Sequence, residues 1–130
     1  MLDRGDLFLD RALESLAGAQ SELQAGRYNN TANRCYYSCF QAAIAALIRA
    51  GVSLPGGGDE WGHAFVAAQF DTLINRRKLF PTEHRGILVR NRDLRRRADY
   101  TVGVVTQTEA TRALRRTSSL LIAVQAERER

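Results

Sequence analysis

The segment from Asn30 to Ala50, NTANRCYYSCFQAAIAALIRA, is the most nearly apolar stretch of this 130-residue chain. Its aromatic and aliphatic side chains recur at helical spacing, and the alanines between them allow close packing on the remaining faces. Gly51 follows the segment, in a position where helices commonly end. The segment therefore predicts a long helix at the centre of an all-α protein.

Four further segments show helical periodicity, and none shows the alternation that is typical of a strand. These predicted helices cover residues 6–25, 63–75, 83–100 and 107 onwards. Thr82 is the expected N-cap of the fourth helix, while Thr106 and Glu109 form a capping box for the fifth. Residues 126–130 are expected to fray. The pattern predicts a five-helix up-and-down antiparallel bundle.

Composition indicates a single ordinary globular domain over residues 1–130, with 45% apolar and 25% charged residues. No apolar run approaches the ~18 residues that a membrane span needs, so no membrane partner is expected. The N-terminus lacks the basic start and apolar stretch of a signal peptide, which predicts a cytoplasmic protein. The formal net charge is +5 and its excess lies after residue 60, which suits a polyanionic partner.

The cysteines and histidines do not suggest a metal site. Cys35 and Cys39 are one helical turn apart, a geometry that does not close a relaxed disulfide. His63 and His84 are the only histidines, and neither has the spacing to cysteine that is typical of zinc sites. We therefore expect reduced thiols in the core, no metal and no cofactor.

The strongest functional signal is the run from Asp93 to Tyr100, DLRRRADY, which places three consecutive arginines beside an Asp-Tyr pair. Six arginines fall within residues 85–97. Arginine keeps its charge at physiological pH and presents planar donors that suit phosphate or carboxylate. The run therefore predicts anionic partners, either carboxylates inside the protein or phosphates outside it.

Three motifs together resemble HEPN domains, the "higher eukaryotes and prokaryotes nucleotide-binding" helical bundles. The run from Asn33 to Ala43, NRCYYSCFQAA, is similar to the Asn-Arg-x-Tyr-Tyr-x-x-Phe-x-Ala-Ala pattern of their central helix. Residues 95–100, RRRADY, resemble the Arg-x-x-Ala-Asp-Tyr signature of one prokaryotic branch. His63 stands where that branch has a histidine opening the third helix. The resemblance covers residues 5–125 approximately.

The resemblance implies a small helical domain that often dimerises and is often encoded beside a minimal nucleotidyltransferase. Several branches are ribonucleases of toxin or defence systems, with an Arg followed four to six residues later by His. Here Tyr100 follows Arg95, and a tyrosine with a pKa of ~10 moves protons poorly near neutral pH. Arg77 and His84 have six residues between them, but Pro81 lies within that interval and would break a helix.

The leading hypothesis is a HEPN-type binding module of a toxin–antitoxin or defence system. It would be a homodimer that engages a nucleotidyltransferase partner, a nucleotide or RNA. The residues expected to bind nucleotide or RNA are Arg34, Tyr37, His63, Arg92, Arg96 and Arg97. The first alternative is a metal-independent endoribonuclease, whose expected catalytic residues are Arg95, Asp99 and Tyr100. The second alternative is a purely structural helical dimer.

The same residues also have structural interpretations. Arg95 and Asp99 are spaced to form an ion pair on one helix, which contributes only ~0.3–0.5 kcal/mol when exposed. Arg34 lies in a largely apolar helix and needs solvent or a carboxylate, for which Asp99 is one choice. Tyr36 and Tyr37 are expected to be core aromatics with hydrogen-bonded hydroxyls.

Overall fold

The computed structural model describes residues 3–58, 60–100 and 103–129, and the side chain of Tyr100 lies outside the described part. Within it are five α-helices, two short 3-10 turns and no strand. The helices are α1 (Arg4–Gln24), α2 (Tyr28–Arg49), α3 (His63–Asn75), α4 (Ile87–Tyr100) and α5 (Gln107–Arg128). None of the described helices combines the length and apolar character that crossing a bilayer requires. The prediction of an all-α, five-helix bundle is confirmed.

Helix α2 is the centre of the bundle and contacts each of the other four helices. The whole run from Ala42 to Leu47 is buried, so both its large and its small side chains face neighbouring helices. The hydroxyl of Ser38 donates a 2.8 Å hydrogen bond to the carbonyl oxygen of Ala12 on α1. Small side chains such as these allow the close, void-free approach of helices that protein interiors show. The central position predicted for this segment is therefore confirmed.

Local capping fixes the start of α1, the end of α1 and the start of α5. The Asp3 carboxylate accepts a 2.8 Å hydrogen bond from the backbone N–H of Asp6, which opens α1. Gly26 follows α1 with φ of +76°, a conformation that glycine adopts without a steric cost. Thr106 and Glu109 form the capping box that was predicted for α5.

The predicted N-cap Thr82 and the helix start directly after it are wrong. Thr82–His84 forms a single 3-10 turn, and Gly86 then takes φ of +75° before α4 begins. The His84 ring is buried, and the Gly86 N–H donates to the Asp71 carboxylate on α3 at 3.4 Å. Tertiary contacts thus override the local helical signal of this segment.

The predicted fraying of the C-terminal residues is also wrong for the part that the structure describes. Helix α5 continues to Arg128. The Arg128 guanidinium lies 3.6 Å from the carboxylate of Asp6 at the start of α1. This pair is partly exposed, so its contribution to stability is small, but it places the last turn of α5 against α1.

Candidate functional site

Arg95 joins α4 to the aromatic face of α2. Its guanidinium carbon lies 4.8 Å from the centroid of the Tyr36 ring and 5.5 Å from that of the Tyr37 ring. Its Nη1 group donates a 3.2 Å hydrogen bond to the Tyr37 hydroxyl. A cation over an aromatic face is attracted by about 0.5–2 kcal/mol, and more strongly as water is removed. These contacts hold the guanidinium on the surface of α2.

The donors of Arg95 are not all used. Its Nη1 atom lies 3.8 Å from the carboxylate of Asp99 one turn later, which is longer than a direct charged hydrogen bond of about 2.7–2.9 Å. The Nε atom is buried and has no hydrogen-bond partner among the described residues. An unsatisfied buried donor costs about 1–3 kcal/mol. Arg95 therefore has donor capacity that the described chain does not satisfy.

His63, the first residue of α3, contacts the same Tyr36 ring that Arg95 covers. A 3.0 Å hydrogen bond joins its Nδ1 atom to the Tyr36 hydroxyl, and the two rings stack with centroids 5.8 Å apart. Burial lowers the pKa of His63 below its usual value, and the positive charges of Arg92 and Arg95 add to this effect against the opposing charge of Asp93. The imidazole is therefore neutral at pH 7 and can accept a proton.

Four of the residues predicted from the sequence meet at this place. We use the name Arg95 cluster for Arg95, Asp99, Tyr36, Tyr37 and His63. Arg92 lies one turn before Arg95 on α4, close enough to influence the pKa of His63. Tyr36 is 5% exposed and hydrogen-bonded, as expected of a core aromatic, whereas Tyr37 is 38% exposed.

The other predicted site residues lie elsewhere or outside the described part. Arg34 is exposed and its aliphatic chain lies beside Gly18 on α1. The described ion pairs join Asp99 to Arg95, and none joins it to Arg34, so the interhelical pair considered from the sequence does not form. Arg96 is exposed to solvent. The side chain of Tyr100 lies outside the described residues.

A second set of arginines lines an open groove of about 470 Å³ between α4 and α5. We use the name Arg116 groove for its lining residues, which are Arg90, Asp93, Leu94, Arg97, Glu109, Arg112 and Arg116. Arg97 forms a hydrogen-bonded ion pair with Glu109. This pair, together with the backbone N–H of Thr106, lowers the pKa of Glu109 to about 2. Glu109 is therefore ionised at neutral pH, and the charge of Arg97 is paired with it within the same chain.

The residues behind the inner wall of this groove were not predicted from the sequence. Asn91 is 1% exposed, donates a 2.9 Å hydrogen bond to the Thr117 hydroxyl and accepts a 2.7 Å hydrogen bond from Arg116 Nε. The available signal was its position, one turn after the apolar Ile87 and Leu88, which places an amide on the core face of α4.

The cysteines are structural, as predicted. Cys35 and Cys39 are buried and free. Burial raises the pKa of Cys35 to about 11 and that of Cys39 to about 12, so neither is a thiolate at neutral pH. Among the residues that the structure describes, no group of three or more His, Cys, Asp or Glu side chains is placed to hold a metal ion.

Comparison with known families finds one family model that covers most of the chain. The family model described as HEPN domain matches residues 6–127, a region that includes the Arg95 cluster and the Arg116 groove. A search of the curated proteins found no match. At the level of the family, the match supports a module that handles nucleotides or RNA. The chain belongs to the HEPN family.

Proposed function

We propose that this domain is a binding module that engages RNA or a nucleotide through the Arg95 cluster on its arginine-rich fourth helix. The observation that carries the proposal is the state of Arg95. Its guanidinium rests on two tyrosine rings, and its buried Nε lacks a partner among the described residues. A phosphate oxygen is among the acceptors that a positioned guanidinium binds most strongly, and it would reach the part of the Arg95 side chain that is open to solvent, which is 18% exposed.

The surroundings of Arg95 suit the other parts of a nucleotide. Tyr37 is partly exposed beside the guanidinium, and an exposed ring offers a stacking surface for a base that is worth about 1–3 kcal/mol. Arg92 lies one turn before Arg95 on α4, and Arg96 lies one turn after Arg92 on the adjacent side of the helix. Positive side chains along one side of a helix attract a phosphate backbone without sequence preference. Together these residues favour a single-stranded RNA segment or a nucleotide.

We also propose that the domain is a homodimer and one half of a toxin–antitoxin or defence pair, with a nucleotidyltransferase as its partner. The support for this part is the resemblance to HEPN domains that are encoded beside such enzymes. It is tested by co-expressing the chain with the protein encoded next to it and measuring the mass of the purified complex. A monomer that does not co-purify with that neighbour contradicts it.

A second candidate function is a metal-independent endoribonuclease. The observation that favours it is the neutral His63 beside Arg95 in one cluster. In this reaction His63 would accept the proton of an RNA 2′-hydroxyl while the 2′-oxygen bonds to the adjacent phosphorus. The bond from phosphorus to the 5′-oxygen would break, with that oxygen taking a proton from water, and Arg95 would stabilise the charge that develops on the phosphate. Asp99 would orient Arg95, and Tyr100 is the further catalytic residue that the sequence predicts.

Binding and cleavage of a fluorescent single-stranded RNA, with a chelator present, test both functions. The variants are Arg95→Ala and a matched control, Arg96→Ala, which removes the same charge from an exposed neighbouring position. For the binding module we expect no cleavage and a Kd that rises about tenfold or more in Arg95→Ala, since both a charged hydrogen bond and a stacked cation are lost. Arg96→Ala should raise the Kd by less than about threefold.

Other outcomes are equally clear. Cleavage by the wild type that is lost in a folded Arg95→Ala protein would establish the ribonuclease. Absence of RNA and nucleotide binding by the wild type at low salt would contradict both functions and favour the purely structural helical dimer, because electrostatic affinity is strongest at low salt. Circular dichroism of each variant verifies the helical fold.

A further inference from the structure

The Arg116 groove differs from an ordinary solvated arginine surface because one of its cations is fixed from behind. Arg116 is half-buried, and its Nε donates a 2.7 Å hydrogen bond to the buried Asn91. Asn91 is held in turn by its hydrogen bond to Thr117. Two buried residues thus fix the position of the Arg116 guanidinium, and the entropy loss that normally accompanies binding by a flexible side chain is reduced.

Arg116 lacks the partner that a half-buried cation usually has. No carboxylate lies within 4.0 Å of it among the described residues, and its only described hydrogen bond uses Nε. Burial lowers the pKa of Arg116, and the neighbouring Arg90 lowers it further, so the surroundings disfavour the positive charge. A cation in such a place is stabilised by an anion that enters the groove.

The remaining charges of the groove leave room for that anion. Arg97 and Glu109 neutralise each other, since they form an ion pair. Arg90 and Arg112 are exposed, and their only acidic neighbour in the groove outside that pair is Asp93. The volume of about 470 Å³ is within the range of ~300–1,000 Å³ that ligand sites occupy. Three guanidiniums thus surround an open space with one carboxylate among them.

The sequence explains why these residues meet. Residues 90, 93 and 97 on α4 are spaced i, i+3, i+7, and so are residues 109, 112 and 116 on α5. Each set therefore occupies one face of its helix, and the two faces are adjacent across the groove. The same i, i+3, i+7 spacing occurs on the other side of α4 at residues 92, 95 and 99. Arg95 and Asp99 belong to the Arg95 cluster there, and Arg92 lies beside it.

We propose that the Arg116 groove is a second phosphate-binding site, in which Arg90, Arg112 and Arg116 converge on a phosphate group. Phosphate suits the site because its several acceptor oxygens can bind separate guanidiniums at the same time. The group could belong to an RNA backbone or to a free nucleotide, which share this chemistry. The site is separate from the Arg95 cluster and does not depend on the function proposed for that cluster.

The test follows the arginine Nε–H signals by nuclear magnetic resonance at low salt. The Nε–H of Arg116 is held by Asn91, which makes it slow to exchange and observable. The probes are pyrophosphate and a short oligouridylate. The test variant is Arg112→Ala, and the matched control is Arg115→Ala, which removes the same charge from an exposed position of α5 outside the groove.

We expect both probes to shift the Arg116 signal, and Arg112→Ala to raise the Kd read from that signal about tenfold. Arg115→Ala should change it by less than twofold. Saturation at a lower concentration of oligouridylate than of pyrophosphate would identify the RNA backbone as the source of the phosphate, and the reverse order would identify a free nucleotide. An unmoved Arg116 signal, or equal effects of the Arg112→Ala and Arg115→Ala variants, would overturn the proposal.

The same experiment separates this proposal from the function of the Arg95 cluster. In Arg95→Ala protein the shift of the Arg116 signal should persist with its Kd changed by less than about threefold. If the shift disappears in that variant although the protein remains helical, the groove is not an independent site. If it persists while RNA binding at the Arg95 cluster is absent in the wild type, the groove proposal stands and the proposed function falls.

Discussion

The two sides of helix α4 use arginine in opposite ways. On the side of α2 and α3, the Arg95 guanidinium lies over tyrosine rings, and its buried Nε has no described partner. On the side of α5, Arg97 is paired with Glu109, and Arg116 reaches in from α5 to a buried amide. The first arrangement places a cation on aromatic surface, and the second fixes cations by polar contacts.

This difference follows from what the neighbouring helix offers. Helix α2 presents Tyr36 and Tyr37, so an arginine there gains a π contact and one hydroxyl acceptor. Helix α5 presents Glu109 and the buried Thr117, so polar networks form at its surface. The helical period turns Arg95 and Arg97 toward different neighbouring helices, and those helices give the two arginines different partners. A count of the charges on α4 does not show this.

The largest effect is expected at Asn91, which supports the α5 side only. Asn91→Ala removes the hydrogen bonds to Thr117 and Arg116, so the half-buried Arg116 guanidinium loses its described acceptor and the buried Thr117 hydroxyl keeps only its bond to the Ala113 carbonyl oxygen. We expect the free energy of unfolding to fall by about 3 kcal/mol, measured by urea denaturation. The control is Asn75→Ala at the exposed end of α3, expected within about 0.5 kcal/mol of wild type. Equal stabilities of the two variants would show that the network contributes nothing.

Tyr37 should affect binding on the α2 side. Tyr37→Ala removes the exposed ring, and we expect the Kd for single-stranded RNA to rise about tenfold, which is ~1.4 kcal/mol. Tyr37→Phe keeps the ring and loses only the hydroxyl that accepts from Arg95, so its Kd should stay within about twofold. Fluorescence anisotropy measures both. Equal losses in the two variants would show that the hydroxyl, and not stacking, carries the effect.

A smaller, pH-dependent effect is expected at Glu109. Glu109→Gln keeps a side chain that can cap α5 but loses the charge that pairs with Arg97, and we expect a loss of about 1 kcal/mol at pH 7 after allowance for solvent screening. Because the pKa of Glu109 is lowered to about 2, this advantage of the wild type is present above pH 4.5 and is lost as the pH falls toward 2.

Urea unfolding of the wild type and Glu109→Gln at several pH values measures this difference. If the difference in free energy of unfolding between the two proteins is constant from pH 7 to pH 2, the result would contradict a stabilising ion pair. If this difference disappears on acidification, the result would confirm that the Arg97–Glu109 ion pair stabilises the contact between α4 and α5.

Much of the fold could be predicted from the sequence because its signals are local. The alanine-rich run from Ala42 to Leu47 has room for neighbouring helices on every face, and it is the centre of the bundle. The capping box at Thr106 also needs only residues within one turn. The start of α4 was not predictable in this way, because the buried His84 and the contact of Gly86 with Asp71 are tertiary.

The sequence predicted which residues form most of the candidate site, but not how they contact one another. The motifs indicated Arg95, Asp99, Tyr37 and His63, and the structure brings these residues together. They did not indicate that Tyr36 lies between Arg95 and His63 in this chain of contacts. The Arg116 groove was missed because its two residue sets lie on helices whose relative rotation depends on core packing.

The central claim, that Arg95 binds RNA or nucleotide by position as well as by charge, is tested most directly with Arg95→Lys. The measurement is the Kd for single-stranded RNA at several salt concentrations for the wild type, Arg95→Lys and Arg96→Ala. We predict that Arg95→Lys raises the Kd at least fivefold with an unchanged salt slope, because charge remains while the planar stacked donors are lost. Arg96→Ala should mainly reduce that slope, by about 0.7 for one lost phosphate contact. Wild-type affinity in Arg95→Lys would contradict the claim and leave only non-specific attraction.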